Sequence, residues 1–173
     1  VLHVGSQGGA TAARRGECDI AGVHLMDADS GEYNRHLLTK TLSLVPGYGR
    51  RQGIVFRPGD ARFESAASAE EAVKTALADP GCSMINRNSG SGTRILIDGL
   101  PGESRPPGYT SQTKSHNAVA TAVSQNRADW GVAIDTVARE YGLGFVPFQD
   151  EQYDFLIPEG RRERPAAVSY THL

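Results

Sequence analysis

Short apolar runs alternate with short helical stretches along nearly the whole chain, and many of the joints between them are made of glycine and serine. Strands handing over to helices at this spacing build βαβ units, so the pattern predicts an α/β protein with mostly parallel sheets. Strands are expected at Leu2–Val4, Cys18–Leu25, Leu42–Val45, Gly53–Phe56, Ser83–Asn86, Trp130–Ile134, Phe145–Pro147 and Phe155–Ile157. Helices are expected at Gly8–Arg15, Ser68–Ala78, Gly92–Gly99, Asn117–Gln125 and Thr136–Tyr141. Ser68 suits the cap of its helix, with Glu70 and Glu71 in the first turn, where the helix dipole favours acidic groups. Asp27–Asn34, Pro46–Gly49 and Leu100–Gly108 read as turns and loops.

A weak internal repeat runs through this pattern. Ser6-Gln7-Gly8-Gly9 opens a helix that leads to Asp19 and the run Ile20-Ala21-Gly22-Val23. Ser115-His116-Asn117-Ala118 opens another that leads, over nearly the same span, to Asp129 and Trp130-Gly131-Val132. Such echoes arise by chance in any βαβ protein. Read functionally, they are two related lobes, each presenting a Ser-capped helix start toward a shared cleft.

Composition narrows the field. The chain has 173 residues, 39% of them hydrophobic and 22% charged, which is enough for a buried core and is not a disordered composition. Eighteen Lys and Arg stand against 20 Asp and Glu, for a net charge of −2, so no cationic surplus exists to displace counterions from nucleic acid. No apolar run approaches the roughly 20 residues that span a bilayer. Two cysteines, Cys18 and Cys82, are too few for a disulfide scaffold or a Cys-based zinc finger. The unusual quantity is the 20 glycines. Gly5, Gly8, Gly9, Gly90 and Gly92 all sit where a strand is expected to hand over to a helix.

The densest of these handovers is Asn86-Arg87-Asn88-Ser89-Gly90-Ser91-Gly92-Thr93-Arg94, which contains no bulky apolar side chain. A turn of small and hydroxylated residues leaves backbone N–H groups uncovered, Ser89, Ser91 and Thr93 add hydroxyls, and the following helix adds a partial positive charge. Arg87 and Arg94 can supply charge-assisted hydrogen bonds. Together they suit a compact oxyanion; the plainer reading is a Gly/Ser turn that caps a helix. The stretch is not a nucleotide P-loop, because the Gly-Lys-Ser/Thr ending is missing and Arg94 follows the threonine. Gly5-Ser6-Gln7-Gly8-Gly9 and Ser115-His116-Asn117 are further candidate helix starts, each ordinary alone and more telling if they converge.

Other chemistries find little support. His3, His24, His36, His116 and His172 have no metal-binding spacing, and no metal site is expected. Asp27, Asp29 and Glu32 share a loop that fails the EF-hand pattern and reads as solvated. No G-x-S-x-G elbow or Cys/His arrangement is present, so no catalytic residue is assigned and the chain is expected not to be an enzyme. His24, ending its strand, faces either the cleft or a polar partner.

An ordered series of motifs resembles one family. It runs through Gly16-Glu17-Cys18-Asp19-Ile20-Ala21-Gly22-Val23-His24-Leu25, Gly31-Glu32-Tyr33-Asn34, Arg51-Gln52-Gly53, Asn86-Arg87 with Ser89 to Arg94, Ser115 to Ala120, Ala128 to Val132, and Tyr153-Asp154-Phe155. The series resembles the periplasmic-binding-protein-like domain of the molybdate-binding type and covers nearly the whole chain. Members occur alone, behind helix-turn-helix segments, or fused to molybdopterin-biosynthesis enzymes. The resemblance implies a type II periplasmic-binding-protein-like fold: two α/β lobes with a ligand cleft between them. It divides the chain into 1–52 (first part of lobe 1), 53–149 (lobe 2) and 150–173 (return to lobe 1), with closure about Arg51–Val55. Relative to the family, the first βα unit is expected to be missing, and Ser169–Leu173 reads as a foreign tail.

The ligand it implies is a tetrahedral oxyanion, molybdate or tungstate, with no other cofactor. Candidate ligand-binding residues are Ser6, Gln7, His24, Arg51, Asn86, Arg87, Ser89, Ser91, Gly92, Thr93, Arg94, Ser115 and His116. The expected role is a sensor or transport receptor, with no membrane contact and no direct nucleic-acid contact from this segment, although a fused DNA-binding domain fits the family. The alternative is an accessory domain of a molybdenum-cofactor biosynthesis enzyme that binds an organic ligand or a protein partner. A cytoplasmic location is expected, with a periplasmic one also open.

Overall fold

The computed structural model describes residues 2–99 and 105–171. In chain order the elements are α1 (Gly5–Arg14), β1 (Ala21–Val23), β2 (Leu42–Phe56), α2 (Ala61–Glu64), α3 (Ala69–Ala78), β3 (Met84–Arg87) and α4 (Gly92–Asp98). There follow β4 (Gln112–Thr113), α5 (His116–Ser124), β5 (Trp130–Ile134), α6 (Asp135–Glu140), β6 (Gly144–Pro158) and α7 (Pro165–Thr171). The chain divides into two compact units. The first comprises Val1–Gly49, Gly90–Gly92 and Glu151–Leu173; the second comprises Arg50–Ser89 and Thr93–Asp150.

In the first unit β1 pairs antiparallel with β6, Ala21 opposite Leu156 and Val23 opposite Asp154. The other neighbour of β6 is β2, and Gly47 lies against the Tyr153 carbonyl. Helix α1 covers this sheet with its small residues. Ala10 and Ala13 join Ala21, Val23, Leu37, Leu42 and Leu156 in one buried cluster. Burial of these side chains is the main source of the unit's stability, at about 25 cal/mol for each Å² of apolar surface removed from water.

The second unit shows why a strand needs period two. In β2 and β5 successive side chains point to opposite faces. Ile54, Phe56, Trp130 and Val132 face α3, where Ala69, Ala72, Val73 and Ala76 complete a core with Phe63 and Met84. Val55 and Ala133 face the other way, against Val119 and Val123 of α5 and Ala138 of α6. β2 and β5 run antiparallel, with Val55 opposite Gly131, whereas β3 is parallel to both β5 and β4. Gly131 lets α5 approach closely, since a Cβ there would lie 2.6 Å from Val119 Cγ1 and 2.9 Å from the Ile85 carbonyl oxygen.

The type II binding-protein fold expected from the sequence is the fold observed, but its sheet is mixed rather than mostly parallel. Several elements also differ. Leu2–Val4 is not a strand, and α1 starts at Gly5 rather than Gly8. β1 is only three residues long, and the turn expected at Pro46–Gly49 is part of one continuous 15-residue strand. Likewise Phe145–Pro147 and Phe155–Ile157 belong to one strand, β6. Part of the Leu100–Gly108 loop and the end of the Ser169–Leu173 tail lie outside the described residues.

Candidate functional site

Buried polar side chains mark the candidate site, because an apolar interior tolerates them only when they are partnered or functional. In the first unit they gather where β1 ends. α1 has Val4 at its N-cap and no side-chain cap, so Ser6 lies inside the first turn instead of capping as the repeat suggested. Its hydroxyl oxygen accepts from the backbone N–H of His24 at 3.2 Å, and the serine is buried. The His24 ring is 8% exposed, and its Nδ1 lies 2.9 Å from Oε2 of Glu151, whose side chain is 1% exposed. Tyr153 stacks on the imidazole with centroids 5.7 Å apart and planes 22° apart.

Gly92 closes one edge of that ring. A Cβ at Gly92 would lie 2.6 Å from both Cε1 and Nδ1 of His24, so only glycine fits without displacing the histidine. Ser91 beside it is buried. Gln7 is exposed and its side-chain oxygen reaches toward Gly90. Asn34 holds the neighbouring loop in place from a left-handed conformation (φ 62°). Its side-chain oxygen accepts from Leu25 N–H at 2.7 Å, and its amide donates to Asp154 at 2.8 Å.

The second unit has its own cluster. Asn86 is buried at the end of β3, accepts from Arg87 N–H at 2.8 Å and donates to the Tyr109 carbonyl at 3.0 Å. Arg87 is 6% exposed and donates to the Lys114 carbonyl at 3.4 Å. Thr93 is fully buried, and its hydroxyl has no hydrogen-bond partner among the described residues. Arg94 is committed within the fold: Nε donates to Asp98 at 2.7 Å, Nη2 to the Tyr109 hydroxyl at 2.9 Å and Nη1 to the Arg87 carbonyl at 3.4 Å. Burial pulls the Arg94 pKa down, but the bonds to Asp98 and Tyr109 outweigh it and leave the guanidinium above its ordinary value. Burial likewise pushes the Asp98 carboxyl up, and its bonds from Tyr109 and Arg94 bring it below the ordinary range.

Ser115 caps α5, accepting from Ala118 N–H at 3.1 Å, and His116 is half-buried in the first turn. Ser89 is exposed. Arg51 is exposed on β2, with Nε 3.7 Å from Asp135 Oδ2 at the start of α6. Thus the structure gathers Ser6, His24, Ser91 and Gly92 in the first unit and Asn86, Arg87, Thr93 and Arg94 in the second. Glu151 is the residue that sequence reasoning missed. Its partner His24 is 127 positions away, and nothing local to Glu151 distinguishes it from a solvated acid. Among the described residues no group of three or more His, Cys, Asp or Glu is placed to hold a metal ion, and no helix is long and apolar enough to cross a membrane.

The chain is thus a mixed α/β domain of two compact units, each burying polar side chains where strands end. The chain belongs to the PBP superfamily: residues 1–169 match its domain model. The uncharacterized protein YvgK of Bacillus subtilis (strain 168) is 31% identical over 164 residues, covering 89% of this chain and 51% of the relative. This chain therefore spans about half the length of that relative. A putative phosphate ABC transporter substrate-binding protein from Clostridium perfringens, solved with bound phosphate, is similar in fold (TM-score 0.66, 12% identity, 98% of this chain and 77% of that one). An ABC-type phosphate transport receptor from Vibrio cholerae is also similar (TM-score 0.59, 14% identity, 98% of this chain and 80% of that one).

Proposed function

We propose that the ligand is a small tetrahedral oxyanion, with molybdate and tungstate the candidates favoured by the sequence resemblance. The observation that supports this most is the stretch from Asn86 to Arg94, where Asn86, Arg87, Ser91 and Thr93 are buried and no apolar side chain intervenes. Asn86 and Arg87 have partners within the fold, whereas the fully buried Thr93 hydroxyl has none among the described residues and suits a polar ligand. Two proteins of like fold, one solved with bound phosphate and one a phosphate transport receptor, handle an anion of this kind. In this reading Ser6, Gln7, His24, Ser91 and Gly92 supply one set of contacts. The candidates of the second unit, taken by themselves, are Asn86, Arg87, Ser89, Thr93, Arg94, Ser115 and His116, together with Arg51, which is exposed on β2.

The domain then works as a sensor or transport receptor, binding its ligand without chemical change. Titration calorimetry with molybdate, tungstate, sulfate and phosphate tests this. At least one should bind, and Arg87→Ala should weaken that binding by tenfold or more, since a charge-assisted hydrogen bond contributes about 1.5–3 kcal/mol. Absence of heat with all four would overturn the oxyanion reading.

A further inference from the structure

Resting on that oxyanion reading, we propose that Asp154 is a positioning residue for ligand binding in the first unit: through Asn34 it fixes the backbone on which His24 is presented. Asp154 and Asn34 are both buried, at 4% and 0% exposure. Polar groups so deep need partners, and each supplies one to the other. One carboxylate oxygen of Asp154 accepts from the Gly47 N–H at 3.0 Å and from the Gln152 side-chain amide at 2.8 Å. The other accepts from the Asn34 amide at 2.8 Å. A carboxylate only accepts, so it dictates which way the Asn34 carboxamide faces, with nitrogen toward Asp154 and oxygen toward Leu25.

That orientation holds Leu25 from both ends. Its N–H donates to Asn34 Oδ1 at 2.7 Å, and its carbonyl accepts from the Asn34 N–H at 2.8 Å. His24, one residue earlier, donates its own N–H to Ser6 Oγ at 3.2 Å. The two peptide groups that flank the His24 Cα are therefore each pinned, one by Ser6 and the other by Asn34. Together they set the direction in which the imidazole leaves the chain. β1 ends at Val23, so these two side chains take over where the strand stops. Val23 lies opposite Asp154 in the sheet, which places the carboxylate beside the segment it governs. Asn34 adopts the left-handed conformation, φ 62°, which among residues with a Cβ is open mainly to asparagine and aspartate. Position 34 thus admits the one acidic side chain that could exchange roles with Asp154.

The test is calorimetry of molybdate, tungstate, sulfate and phosphate with the native chain, then of the tightest binder of the four with variants. Asp154→Asn leaves an NH2 group facing a donor whichever way the new carboxamide turns, and Asn34→Asp sets two carboxylates against each other. Each should weaken binding by about tenfold or more. The exchanged pair, Asn34→Asp with Asp154→Asn, again sets a donor opposite an acceptor and keeps the bond to Leu25. It gives up the 3.1 Å bond from Asn34 to the Gln152 carbonyl, so affinity should return to within about threefold of native. Leu42→Val, which loosens the core of the same unit, should lower the melting temperature and leave affinity unchanged. The native chain also gives a measurement without substitution: in the isotope-labelled protein the ligand should shift the Asn34 side-chain amide and Leu25 amide signals together with that of the His24 amide. Four results overturn this inference and leave the oxyanion reading standing: unchanged affinity in the folded single variants, no recovery in the folded exchanged pair, an equal loss in Leu42→Val, or Asn34 and Leu25 signals that stay in place. No heat with any of the four oxyanions in the native chain overturns both.

Discussion

The α1–β1 segment of the first unit and the α5–β5 segment of the second follow one plan, a helix opened by serine, an aspartate, then a Gly-Val strand, and they use it differently. Ser115 caps its own helix, whereas Ser6 sits a residue into its helix and holds the backbone of His24. Asp129 is gripped by Arg57 and Arg62 at 3.0 Å each and by Ser83, while Asp19 has one arginine, Arg161 at 2.8 Å, near the surface. Gly131 makes room for a packed helix, and Gly22 makes room for the Tyr153 ring, whose hydroxyl a Cβ at Gly22 would overlap. The same residue types build a core in the second unit and shape a polar site in the first. Position relative to the partner element, rather than residue type, decides which.

The glycines offer the sharpest way to break this contrast. Gly131→Ala should cost about 3 kcal/mol in denaturant unfolding, because Val119 and the Ile85 backbone leave no room. Gly22→Ala should cost about 1 kcal/mol, since the end of the Tyr153 side chain can swing aside, but it should weaken ligand binding by disturbing the stack on His24. Equal costs would erase the distinction.

The aspartates come next. Asp129→Asn should lose about 2 kcal/mol and Asp19→Asn about 0.5 kcal/mol. Burial raises the Asp129 carboxyl, but Ser83 and Arg62 more than offset it and hold the group below its ordinary value of 3.8. A carboxyl lowered in the folded state contributes its full stability above the unfolded value and loses it as pH falls through the folded value. Acid titration of stability should therefore steepen below about pH 4 in the native chain and flatten there in Asp129→Asn.

The serines give the smallest pair. Ser6→Ala, which strips an acceptor from a buried N–H, should cost about 1.5 kcal/mol, with α1 keeping its helical content by circular dichroism. Ser115→Ala should cost about 1 kcal/mol and fray the start of α5, seen as faster amide exchange at Ala118.

Elements with a clear period or cap were legible in the sequence. β5 was expected at Trp130–Ile134, where it lies, and Ser68 accepts from Glu71 N–H at 3.2 Å as a cap should. The long strands were not legible. Pro46 and the exposed Gly47-Tyr48-Gly49 break any alternation in β2, and Pro147 does the same in β6. Strand order supplies the reason they are tolerated. β2 is the edge strand of the first unit and β6 that of the second, and an edge strand can carry a residue without an N–H. The Ser, Arg and Gly candidates could be named from local chemistry. The His24–Glu151 pair could not, because it depends on which register brings β6 beside β1.

The division of the chain also has a consequence for synthesis. The first unit is started by residues 1–49, receives three residues at Gly90–Gly92, and is completed only by Glu151–Leu173. A ribosome therefore releases every part of the second unit before it supplies Leu156, which closes the first unit's core, or Glu151, which partners its histidine. Within this chain the unit that is begun first is finished last, and its His24–Glu151 pair can form only after every part of the second unit has been made.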